Sequence, residues 1–111
     1  TLGTFDSIIH NAGVYAANPK EILTVNTLAP YLLTCLLHKP KRLIYLSSGL
    51  HKQGKVNLEG IANDHISYSD SKLHVLMLAK AVARKWPRVY ANAVDPGWVP
   101  TKWVEKMPPM I

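Results

Sequence analysis

Tyr68 and Lys72 stand four residues apart in a stretch with helical periodicity, so their side chains share one helix face. A Lys ammonium beside a phenol favours the phenolate and lowers its pKa toward a working range. Tyr68 is therefore a candidate general acid in one direction and general base in the other. Taken alone, the spacing more often means a half-buried Tyr beside a solvated Lys. Ser48, twenty residues before Tyr68, follows the strand-like run Arg42-Leu43-Ile44-Tyr45-Leu46 and offers a second hydroxyl. Alternation points neighbouring strand residues opposite ways, so Ser47 and Ser48 cannot both serve one site. Asn26 sits four residues before Pro30 in an earlier helical stretch. Proline has no N–H to donate, which in an α-helix leaves the Asn26 carbonyl free for a water. A plain helix kink is the competing consequence.

The elements that must position these groups are legible from periodicity. Residues 5–10 form a short apolar run ending at the turn Asn11-Ala12-Gly13. Ile22, Val25, Leu28, Leu32 and Leu36 recur at spacings of three and four, which predicts a helix over about residues 20–37. Residues 42–46 are the next strand, and the polar stretch over residues 50–66 reads as a loop. A second helix is expected over residues 68–85, with Tyr68, Lys72, Val75, Ala79, Val82 and Trp86 along one face. Pro87 stops it, residues 89–94 form a third strand, and Asp95-Pro96-Gly97 is a turn, with a short helical segment expected beyond Thr101. Strands alternating with helices argue for right-handed crossovers and a parallel sheet covered on both faces. Ligands of such sheets bind beyond the carboxyl ends of the strands. Here all three strand ends carry the candidate chemistry.

Composition narrows the class. Hydrophobic content of 48% and charged content of 18% are globular values, so disorder is not expected. No run approaches the ~20 apolar residues of a membrane span, and the N-terminus has no signal-peptide pattern. The single Cys35 excludes an internal disulfide framework and fits a reducing, cytoplasmic setting. The formal charge of +6 carries no base-reading or stacking motif, so it reads as solvated surface with some attraction for an anionic cofactor, not as nucleic-acid binding. His10, His38, His51, His65 and His74 are scattered without a ligand pair, so no metal is expected.

Taken together, Asn11-Ala12-Gly13, Asn26, Ser48, Tyr68, Lys72 and the segment Pro96-Gly97-Trp98-Val99-Pro100-Thr101 resemble the short-chain dehydrogenase/reductase family over essentially the whole chain. Several separate matches in the right order make the resemblance specific. It implies the second half of a Rossmann-type, doubly wound α/β fold, with residues 1–111 as a partial NAD(P)-binding catalytic domain. It further implies an oxidoreductase passing hydride between NADP or NAD and an alcohol or carbonyl. Tyr68 would exchange the proton with the substrate oxygen and Ser48, the family's Ser of the pair, would hold that oxygen. Lys72 would meet the nicotinamide ribose, and Asn26 would hold a water through its carbonyl. Asn11, Ala12 and Gly13 would border the adenosine, while Pro96, Gly97, Val99 and Thr101 would meet the carboxamide. The runs around Ser48 and Tyr68 look closest to the retinol-dehydrogenase-like branch, which favours hydrophobic alcohols and carbonyls.

The pattern also breaks. The family's opening Gly-rich turn is absent, with no G-x-x-x-G-x-G or G-x-G-x-x-G anywhere. Only residues 14–19 separate Gly13 from the first helix, where the family holds a longer excursion, and a short tail follows Thr101. A fragment of a longer protein and a true truncation are both open at this point. On either, residues 1–111 alone are expected to bind a dinucleotide weakly, since the pyrophosphate cradle is missing. Leu73, Leu76, Met77 and Ala81 lie off the sheet-facing strip, a surface for which the resemblance implies a homodimer through the two long helices and for which burial against the missing half is the other reading. A non-catalytic binding or regulatory protein of this fold and an inactive truncated product are the alternatives.

Overall fold

The apolar run Arg42-Leu43-Ile44-Tyr45-Leu46 forms a strand whose pleat sends Leu43 and Tyr45 inward and leaves Arg42, Ile44 and Leu46 less buried, and the rest of the sheet follows its register. In the computed structural model, which describes residues 3–97, β1 (Ser7–His10), β2 (Arg42–Leu46) and β3 (Tyr90–Val94) form one parallel sheet in the order β1-β2-β3. Ile8, Leu43 and Ala91 stand in one cross-strand row, and His10, Tyr45 and Ala93 in the next. Both rows face the helices. Leu43 and Tyr45 are buried beneath Val75, Ala79 and Val82, with Val89 closing the cluster. The opposite face presents Ser7, Arg42 and Tyr90, then Ile9, Ile44 and Asn92.

That opposite face differs from expectation. The alternation of strands and helices predicts coverage on both faces, yet among the described residues only one face is covered. The strands are sequential neighbours, so each crossover of the same hand places its helix on the same side. Ile9 and Tyr90 are consequently 58% and 70% exposed.

The first helical stretch covers residues 19–36 in three parts: α1 (Pro19–Glu21), a π-helical segment (Ile22–Leu28) and α2 (Ala29–Leu36). Asn18 caps it, its side chain accepting from the Glu21 N–H at 2.9 Å, and Pro19 occupies the first turn, where a missing N–H costs nothing. A uniform α-helix was expected. In an α-helix the Pro30 ring would collide with the Asn26 carbonyl, and a wider π turn relieves that clash.

Residues 50–66 are less irregular than their polarity suggests. They hold a 3-10 turn (Gly49–Gln53, of which residue 49 lies just ahead) and α3 (Leu58–Ala62). Ser48 caps the first and Asn57, in the left-handed region at φ 53°, caps the second. The long helix α4 (Tyr68–Lys85) begins at a reciprocal cap: Ser67 accepts from the Asp70 N–H, and the Asp70 carboxylate accepts from the Ser67 N–H. Among the described residues no helix is long and apolar enough to cross a membrane.

Candidate active site

α4 brings Tyr68 and Lys72 to the carboxyl edge of the sheet. Lys72 is buried, and its Nζ donates to the Leu46 carbonyl at the end of β2, 3.1 Å away. The same Nζ lies 5.5 Å from the centroid of the Tyr68 ring. Burial lowers the Lys72 pKa. At Tyr68, burial raises the phenol above its ordinary value; the Ser48 hydroxyl, in hydrogen-bonding reach, works in the other direction, and Tyr15 and Asp95 add to the rise. The expectation that Lys72 lowers this phenol is therefore not what the geometry gives. The ammonium faces the ring and is bonded to a carbonyl, so desolvation prevails.

Ser47 and Ser48 part as alternation requires. Ser47 Oγ donates to the Lys72 carbonyl at 3.2 Å and is occupied by the α4 backbone. Ser48 Oγ accepts from the Leu50 N–H at 3.2 Å and turns toward Tyr68. Beyond β3, the Gly97 N–H donates to the Asp95 carboxylate at 2.9 Å, closing the Asp95-Pro96-Gly97 turn with Gly97 at φ +72°. Only glycine adopts that conformation without strain. A Cβ at Gly49 would lie 3.4 Å from the Asp95 carboxylate, so this turn borders the Ser48 end of β2. Pro96 and Gly97 are exposed there, while Val99 and Thr101 lie outside the described residues.

Asn26, 1% exposed, reaches the site from the other side. Its amide clamps the chain after β1: Oδ1 accepts from the Val14 N–H at 2.8 Å and Nδ2 donates to the Val14 carbonyl at 2.7 Å. Nδ2 is also 3.2 Å from Ser71 Oγ on α4. The clamp fixes the exposed Asn11-Ala12-Gly13 turn above Lys72. A Cβ built on Gly13 would stand 3.5 Å from Asn26 Oδ1 and 3.6 Å from Lys72 Nζ.

The main chain around Asn26 has a shortage of donors. Ala29 donates its N–H to the Thr24 carbonyl, five residues back, whereas from Leu28 onward the α pattern returns. Pro30 has no N–H. The carbonyls of Val25, Asn26 and Thr27 therefore share a single N–H of their own helix, that of Tyr31. At least two of the three need another partner, and water is the obvious one. Pro30 alone, in an α register, would have freed one carbonyl.

Three neighbours of the site had no signal in the sequence. Tyr15 meets Tyr68 edge-to-face at 4.7 Å, Ser71 ties Asn26 to α4, and His74 bonds Thr27. Each contact depends on chain-distant placement, which periodicity does not carry. Among the described residues, no group of three or more His, Cys, Asp or Glu could hold a metal ion.

No protein-family model matches the chain. It is 46% identical to an uncharacterized oxidoreductase of Emericella nidulans, over 97% of this chain and 47% of that protein. It is 44% identical to a protein of Penicillium rubens named short-chain dehydrogenase chyC, over 91% of this chain and 45% of the relative. Retinol dehydrogenase 14 of Mus musculus is 32% identical, over 86% of this chain and 35% of its own length. The chain thus spans about half the length of the first two relatives, or less. Among solved structures, an uncharacterized protein from Mycobacterium paratuberculosis superposes with a TM-score of 0.75 at 27% identity, over 94% of this chain and 46% of that one. A blue fluorescent protein from a metagenomic library, solved in complex with NADPH, gives 0.68 at 25% identity, over 91% of this chain and 44% of that one.

Proposed function

The chain belongs to the short-chain dehydrogenase/reductase family, and from that membership we propose that it carries the proton-transfer half of a nicotinamide-dependent oxidoreductase. The observation that carries the proposal is the meeting of the Ser48 hydroxyl, the Tyr68 phenol and the buried Lys72 ammonium at one sheet edge. Tyr68 exchanges a proton with the oxygen of an alcohol or carbonyl substrate. Its raised pKa keeps it protonated, the form required to deliver a proton to a carbonyl being reduced. Ser48 donates to the same oxygen and holds the carbonyl in line. NADP or NAD supplies the hydride when bound.

The residues present fit such a cofactor. One of the three Lys72 donors goes to the Leu46 carbonyl, which among the described residues leaves two for the hydroxyls of a ribose. The Asn11-Ala12-Gly13 turn is exposed directly above it. Pro96 and Gly97 border the Ser48 side, where the carboxamide would lie. Asn26 contributes through the donor-poor stretch of its helix, whose free carbonyls can hold a water between Lys72 and solvent. The likeness to retinol dehydrogenase 14 favours a hydrophobic substrate. A cytoplasmic location and a homodimer through the long helices belong to the same reading. Cys35 is the sole cysteine, and Leu32, Leu33, Leu36 and Met77 are exposed apolar side chains on those helices.

The test is Tyr68→Phe in the protein that carries this segment. Turnover should fall by roughly 10²-fold or more, the scale of lost acid–base catalysis, with KM changing less. Unchanged turnover in a folded variant would reject the mechanism.

A further inference from the structure

Residues 54–57 cross the first turns of α4 as a strap. Gly54 approaches so closely that a Cβ there would collide with the Ser69 carbonyl. The Lys55 N–H donates to the Asp70 carboxylate at 2.8 Å, and Asn57 Nδ2 donates to its other oxygen at 2.9 Å. Between these two bonds, the Val56 carbonyl meets His74 Nε2 at 2.6 Å. The second ring nitrogen, Nδ1, is 3.0 Å from the Thr27 hydroxyl in the π-helical segment. A carbonyl can only accept, so Nε2 carries the proton, and in the neutral ring Nδ1 accepts from Thr27.

We propose that His74 is a positioning residue: one imidazole ties together the three segments that carry Asn26, Ser48 and the Tyr68–Lys72 pair, and so governs turnover without touching substrate or cofactor. The inference rests on the function proposed above. Thr27 follows Asn26 directly and belongs to the trio of carbonyls that shares one N–H. The helix's own bonding is thinnest there, and side-chain ties must set the position of the segment. Two such ties run to α4, from Asn26 to Ser71 and from Thr27 to His74. On the other side, the strap continues from Ser48 through the 3-10 turn. Its seating on α4 holds the far end of the segment that Ser48 begins, while the end of β2 holds the near one.

Steady-state kinetics on the protein that carries this segment separate the two arms of the tie. An Asn amide reaches about as far as Nδ1 and a Gln amide about as far as Nε2. His74→Asn thus keeps a partner for Thr27 and loses Val56, and His74→Gln does the reverse. His74→Ala should lower kcat roughly tenfold with KM within about twofold, a modest share of what a 1 Å misplacement can cost. His74→Asn and His74→Gln should each recover part of the loss. Thr27→Val should lower kcat in the wild-type and His74→Asn backgrounds and add nothing in His74→Gln. That non-additivity shows that the effect runs through the Thr27–His74 contact, and the fall in kcat at nearly constant KM in fully folded protein is the readout a purely structural role would not give. Unchanged kcat in folded His74→Ala overturns the proposal, as does an equal Thr27→Val effect in the wild-type and His74→Gln backgrounds. Should His74→Ala fail to fold, Thr27→Val with the Asn and Gln variants decides the matter alone. Tyr68→Phe is the control. Loss of turnover there with a neutral His74→Ala rejects only the positioning role, whereas normal turnover in Tyr68→Phe rejects the functional reading and this inference with it.

Discussion

The two ends of α4 bury their inward faces in opposite surroundings. In the first turns Asp70, Ser71 and Lys72 are buried though polar, and each is held by directed bonds to the strap, to Tyr68 or Asn26, or to the Leu46 carbonyl. In the later turns Val75, Ala79 and Val82 pack on Leu43, Tyr45 and Val89 with no direction to satisfy. An apolar cluster tolerates small shifts, because its stability follows from area and volume. A buried polar cluster does not, because an unpaired donor or acceptor costs far more than a made bond contributes. One helix therefore separates two duties along its length: its carboxyl end anchors the sheet, and its amino end fixes the angles and distances of the groups in the proposed site.

This division can be tested by injuring each half in turn. Leu43→Ala strikes the apolar half. It should lower unfolding stability by about 3 kcal/mol in a urea titration, in the usual range for a buried Leu. Turnover of the fraction that stays folded should hardly change, and a loss of kcat exceeding the loss of folded protein would break the comparison.

Asp70→Ala strikes the polar half. It removes one half of the reciprocal cap and leaves the Ser67 and Lys55 N–H groups and the Asn57 amide without their carboxylate. Stability should fall by about 1–2 kcal/mol, less than for Leu43→Ala, yet turnover should suffer more. At the Asp70 carboxyl, burial opposes ionisation, but bonds from Asn57, Lys55 and Ser67 outweigh it and hold the pKa below the ordinary 3.8. A depressed carboxylate stabilises the fold fully above the unfolded value and loses that contribution as pH falls through the folded one. Acid unfolding below about pH 4 should therefore be shallower in Asp70→Ala.

The smallest expected effect belongs to His10, at the border of the two regions. Its ring stacks on Tyr45 at 4.7 Å, and its Nε2 is buried without a partner among the described residues. Burial lowers its pKa below 6.5. The unfolded chain takes up the proton first, so the stability present above the unfolded value declines as pH falls below it. His10→Phe keeps a stacked ring and should flatten the slope of the urea midpoint between about pH 7 and pH 5. An unaltered slope would show that another group sets it.

Residues 42–46 and 68–85 were legible to the residue, since a short apolar run closed by Ser47-Ser48-Gly49 and a helix closed by Pro87 carry local signals. The positions of Tyr68, Lys72 and Ser48 could also be read, because each sits at a strand end or on a periodic helix face, whereas Asn26 lies off the periodic strip of its helix and came from the resemblance and from Pro30 four residues on. The π-helical segment could not, since a hydrogen bond one residue longer leaves the apolar spacing intact. The strap was hidden for another reason: its polar residues find their place through Asp70 and His74, which lie on another element. The bare sheet face depends on strand order, which no local pattern encodes. For Tyr68, the neighbouring charge was legible and the burial that outweighs it was not.

The π-helical segment has one more consequence. It amounts to a single residue inserted into an α-helix, which shifts the phase of everything before it by about 100° and 1.5 Å. The shift lets Asn26 face the Val14 backbone while Thr34, eight residues on, faces the Tyr45 hydroxyl at 2.7 Å. A uniform α-helix of this sequence could keep one of these alignments but not both. Deleting one residue from the segment would therefore restore the α register at the cost of the Pro30 clash and turn either Asn26 or Thr34 away from its partner. At this place in the chain, residue number is constrained more tightly than residue type.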